Sequence, residues 1–127
     1  MTDLNYTVFT GRLTSDISIK PAGKSNIMTG SFAVNRSVKD GDTWKDVASF
    51  FNFQKWVTEK QIDYYKNSLK KTTPIILDGQ WEQQNWEKDG QKHSRLVIIV
   101  NNIKAAVVDK NNKNQYFSDF PADILKV

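Results

Sequence analysis

The residues that could do chemistry in this sequence fall into two groups, one too sparse for catalysis and one suited to stacking. His93 is the only histidine and there is no cysteine, so the usual ligand sets for zinc are missing. A serine–histidine–aspartate relay could use only His93, which reads as an exposed residue beside a hairpin turn. The three glutamates are Glu59, Glu82 and Glu87, and nothing places two carboxylates about one bond as a hydrolase would need. No glycine-rich phosphate loop is present. The expectation is a chain that is not an enzyme and that carries no metal or cofactor.

The aromatic residues are more informative when sorted by strand parity, because successive side chains on a strand face opposite ways. Phe50 and Trp56 share a face with Asn52 and Gln54, whereas Phe51 and Phe53 take the other. Trp86 keeps company with Gln80, Glu82 and Gln84. Rings in such polar surroundings point to solvent, leaving Phe51, Phe53 and Trp81 for the core. Tyr64 and Tyr65 read as packing residues, and Trp44 could take either role. Flat exposed rings beside cations suit single-stranded nucleic acid, since every base offers a π-face and stacking contributes about 1–3 kcal/mol per base. The cations expected to follow a phosphate backbone are Arg12, Lys24, Arg36, Lys55, Lys88 and Lys92. Fifteen of the 18 cationic residues are lysines, which favours phosphate contact over bidentate reading of base edges.

These residues need a scaffold, and the sequence predicts strands with one helix. Tyr6 to Leu13 is rich in β-branched and aromatic residues and reads as a first strand. Pro21 to Asn26 reads as a loop, Ile27 to Val38 as a second strand, Asp40-Gly41-Asp42 as a hairpin tip and Ala48 to Trp56 as a third strand. Thr58 and Gln61 have capping-box spacing, with Ile62, Tyr65 and Leu69 following at helical intervals, so a helix is predicted over Thr58 to Leu69. Ile75 to Trp86 and Lys92 to Ala106 form two further strands about Asp89-Gly90. Three strands, a helix and two strands is the order of the OB-fold, a mainly all-β, five-stranded Greek-key barrel with its helix between strands three and four.

The 127 residues suffice for one domain, expected over 1–106, with a tail over 107–127. No apolar run reaches the length of a membrane helix and the N-terminus has no signal-like pattern, so a cytoplasmic protein with no membrane partner is expected. The net charge of +4, from 18 Lys+Arg against 14 Asp+Glu, is only mildly basic, and the placement of the charges matters more than their sum.

Asn5 to Asp16, Ser31 to Arg36, Phe50-Phe51 with Trp56, and Gly79-Gln80-Trp81 with Trp86 to Lys92 together resemble the bacterial single-stranded DNA-binding protein family. Asn5 to Asp16 is similar to its first strand, with Gly11-Arg12-Leu13 and Asp16 in place. Ser31 to Arg36 is similar to the second strand, and Phe50-Phe51 with Trp56 to the third. Gly79-Gln80-Trp81 and Trp86 to Lys92 are similar to the fourth strand and its hairpin. The resemblance implies an OB-fold homotetramer, less readily a dimer, that coats single-stranded DNA in replication, recombination and repair. It also implies that Phe50, Trp56 and Trp86 stack on bases.

Two features depart from that pattern. A further stacking tryptophan of the family falls at Val38, so Trp44 is the candidate to replace it. The family's glycine-rich linker and acidic tip have no counterpart in residues 111–127, where Lys113 and Lys126 balance Asp119 and Asp123. Recruitment of partner proteins through this tail is therefore not expected, and a phage or mobile-element origin would fit. The alternative reading is an OB-fold replication or primosome adaptor whose partner is a protein.

Overall fold

The computed structural model describes residues 2–106, so expectations for the tail lie outside the described residues. Its elements are β1 (Thr7–Leu13), β2 (Ser18–Ala22), β3 (Ser25–Asp40), β4 (Thr43–Val57), α1 (Glu59–Ser68), β5 (Pro74–Lys88) and β6 (Gln91–Ala105). The strands lie in the order β1-β5-β6-β4-β3-β2, and a second pairing, β1 with β3, closes five of them into a barrel. The helix sits between the third and fourth barrel strands, as the OB-fold requires.

The sixth strand corrects the expectation of a loop over Pro21 to Asn26. Ser18–Ala22 instead pairs antiparallel with β3 from Ser18↔Thr29 to Ala22↔Ser25. Pro21 cannot donate to a ladder, but β2 is an edge strand, where that deficit is tolerated. Ile19, partly buried against the core, holds this edge in place. The β3–β4 hairpin is also longer than predicted, because polar residues near its tip masked the alternation. Its register runs without interruption from Asn26↔Val57 to Asp40↔Thr43. At the β5–β6 turn, Asp89 and Gly90 have φ of 53° and 78°, the paired positive values of the turn that Asp-Gly favours.

The core fills the barrel with Leu13, Met28, Phe32, Phe53, Ile75, Leu77, Ile98 and Val100 among its buried residues. The helix buries Tyr65 against this core, and its C-cap residue Leu69 joins it there. Its first turn is fixed by the Gln61 side chain, whose Oε1 accepts the Thr58 backbone N–H at 3.0 Å. Tyr64 lies one residue off the apolar stripe and is exposed, contrary to its expected packing role. Phe51 and Trp81 are partly buried and meet edge to face, 5.6 Å apart at 74°.

A register shift between Asp78 and Gly79 leaves one extra residue in β6, because Asp78 pairs with Asn102 and Gly79 with Val100. The bulge explains why both Val100 and Ile103 reach the core despite unequal parity. Beside it, buried Asp78 accepts bonds from the Tyr6 hydroxyl at 2.6 Å and from the Asn102 backbone and side-chain nitrogens at 2.9 and 3.0 Å.

Candidate nucleic-acid interface

The barrel interior is apolar, so any site for a polar ligand must be built on outward-facing residues. Along β4, Phe53 and Val57 are buried, whereas Phe50 and Trp56 are 70% and 55% exposed. Because β4 begins at Thr43, Trp44 belongs to the strand and has the parity of Phe50 and Trp56; it is 67% exposed. On β5, Trp86 is 44% exposed and shares outward parity with Glu82 and Gln84. The four rings singled out in the sequence thus lie on the outer surface, three along β4 and one on the β5–β6 arm.

A polar chain links the two arms. Arg95 of β6 donates through Nε to Gln84 Oε1 at 3.0 Å, and Gln84 Nε2 donates to Gln54 Oε1 at 2.9 Å. The Arg95 guanidinium carbon also lies 5.5 Å from the centre of the Trp86 ring, within cation–π range. His93 stacks on the same indole, its centroid 5.5 Å away and its plane 20° from parallel. Sequence reasoning missed Arg95, whose role depends on register: the β5–β6 ladder sets it opposite Gln84 and sets His93 opposite Trp86.

The cations divide by location. Arg12 is exposed beside Ala33 of β3 and donates to the Thr72 carbonyl at 3.2 Å. Lys24 occupies the β2–β3 turn, and Lys88 is exposed near the end of the β5–β6 arm. Lys92 borders a concavity with Trp86, Glu87 and His93. Arg36 has the parity of buried Phe32, opposite to that of the exposed rings. Lys55 shares parity with Phe53 and Val57 and is half-buried. Burial lowers the pKa of its ammonium below the ordinary lysine value, an effect partly offset by attraction to the Asp78 carboxylate. No group of residues able to hold a metal occurs among the described residues. No helix among them is long and apolar enough to cross a membrane.

A closed five-stranded barrel, a helix between strands three and four, and an outer face of exposed rings define an OB-fold protein of the kind that offers a binding surface on its strands. Residues 4–106 match the single-strand binding protein family, and the chain belongs to that family. It is 31% identical over 105 residues to the single-stranded DNA-binding protein of Treponema pallidum, covering 82% of this chain and 58% of that relative's length. The Borreliella burgdorferi protein of the same description is 28% identical over 123 residues, covering 94% of this chain and 80% of the relative. Among solved structures, Plasmodium falciparum SSB in complex with ssDNA superposes with a TM-score of 0.72 at 20% identity, covering 86% of this chain and 98% of the other. At that identity the superposition speaks for the fold.

Proposed function

We propose that the chain binds single-stranded DNA without catalysis and largely without regard to sequence. Bases would stack on Phe50, Trp56, Trp86 and Trp44, and nearby cations would hold the phosphates. The observation that carries this reading is the exposure of all four rings on the outer surface of an OB barrel of this family. Burying such rings in a core would be the ordinary outcome for a folded chain, so their outward placement calls for a partner with flat faces. Family membership supports the rest of the reading: a cytoplasmic homotetramer that protects single strands in replication, recombination and repair.

Titration with oligo-dT, followed by tryptophan fluorescence at several salt concentrations, tests the proposal. Quenching on binding is expected, with affinity that falls as salt rises. Absence of quenching and of any mobility shift would refute it.

A further inference from the structure

Trp44, Phe50 and Trp56 recur every six residues along β4, so all three face outward and successive rings stand about 20 Å apart by strand rise. Each ring has a cation on its own transverse row. Lys39 of β3 is paired directly with Trp44. Ala33 of β3 is paired with Phe50 on one side and with Arg12 of β1 on the other. Ile27 of β3 is paired with Trp56 and, across its other edge, with Lys20 of β2. Directly paired residues project to the same face of a sheet. Lys39, Arg12 and Lys20 therefore accompany the rings on the outer surface, all on the β3 side of β4.

The space between the Phe50 and Trp56 rows is also suited to a phosphodiester backbone. Ser18, Thr29 and Ser31 line a groove there, with Arg95 on its other wall. The one carboxylate in that groove, Asp16, accepts the Lys71 backbone N–H at 2.7 Å. Arg36, Lys45 and Lys55 have the opposite parity on the same two strands.

We propose that a single strand of DNA runs along β4, its bases over Trp44, Phe50 and Trp56 and its phosphates on the β3 side, over Lys39, Arg12 and Lys20. This track rests on the single-stranded DNA reading above. It adds Lys20 and Lys39 as phosphate contacts and gives the strand a lateral orientation, with sugars and phosphates always toward β3. Arg12 can serve while bonded to Thr72, since a guanidinium has five donors and this bond uses one.

The test is the salt dependence of oligo-dT binding by Lys20→Ala, Lys39→Ala and the double variant, with Lys45→Ala, of opposite parity on β4, and Lys66→Ala, on α1, as controls. Each phosphate contact contributes about −0.7 to the slope of log affinity against log salt for a single strand. Between 50 and 200 mM salt, each single variant should lose about 2.6-fold less affinity than the unaltered protein, and the double variant about 7-fold less. The controls should keep the parent slope. Parent slopes in Lys20→Ala and Lys39→Ala, or equal changes in the controls, would overturn the track while leaving DNA binding intact. An unaltered protein that fails to bind oligo-dT would overturn both.

Discussion

The indole of Trp86 lies stacked on the imidazole of His93 across the β5–β6 hairpin, 5.5 Å between centroids and 20° between planes. Arg95, two residues along the same strand, reaches the same ring and is tied through Gln84 to Gln54 on β4. The arm bearing Trp86 is therefore bonded through side chains to the strand bearing Phe50 and Trp56. A ring held in this way loses less rotamer freedom on meeting a base, which favours binding.

Trp86→Ala is expected to weaken oligo-dT binding by about 1–3 kcal/mol, the contribution of one stacked base. His93→Ala should cost less. If His93 acts by holding the indole, the double variant will be weaker than the parent by about as much as Trp86→Ala alone. A double-mutant cycle read by fluorescence titration decides this. Additive losses would make His93 an independent contact.

Adjacent phenylalanines on β4 should behave in opposite ways. Phe53 is buried in the core, and Phe53→Ala should lower folding stability by about 3–5 kcal/mol. Phe50 is exposed, so Phe50→Ala should leave the urea midpoint near that of the parent and weaken DNA binding instead. Equilibrium unfolding and titration on the same preparations separate the two effects.

Gly79 lies at the register shift, and a Cβ there would collide with the Ile99 carbonyl oxygen and press on the Val100 Cα at 3.0 Å. Both neighbours are backbone and cannot rotate away. Gly79→Ala is expected to destabilise by about 1–3 kcal/mol, visible as a lower melting temperature.

Alkaline pH should act on stability in two opposed ways. Burial raises the Tyr65 phenol above its ordinary value of 10.0, with Tyr64 adding to the shift. The unfolded chain then releases this proton before the folded one, so the stability linked to Tyr65 is complete below pH 10 and declines above it. Lys55 has a lowered pKa, so here the folded state releases its proton first, and stability rises as pH approaches 10.5 from below. Urea midpoints between pH 8 and 11.5 should show a shallower alkaline decline in Tyr65→Phe. In Lys55→Met the rise below 10.5 should be lost.

Much of the architecture could be read in the sequence because strand parity is a strong rule. Phe51 and Phe53 separate from Phe50 and Trp56 by alternation alone, and the Asp89-Gly90 turn has one favoured geometry. The β2 strand was hidden because Pro21 and Gly23 carry turn chemistry that outweighs two or three strand residues. Trp44 stayed undecided because Lys45 and Asp46 break the apolar pattern at the hairpin tip. Lys20 and Arg95 could not be found from composition, since what singles them out is a neighbour fixed by register on another strand. The bulge in β6 is likewise silent in the sequence, because the extra residue resembles any other.

The barrel closes along two narrow seams, each only two residue pairs wide: Arg12 and Leu13 of β1 against β3, and Phe53 and Gln54 of β4 against β6. Every other ladder has at least five pairs. Parting both seams would divide the sheet into two leaves, β1-β5-β6 and β2-β3-β4, each with its own ladders intact. Trp86 belongs to the first leaf, and Trp44, Phe50 and Trp56 to the second. A ligand gripping rings on both leaves acts as a clasp, favouring the closed arrangement by mass action. Amide hydrogen exchange at the seam would register that clasp directly, slowing once oligo-dT is added.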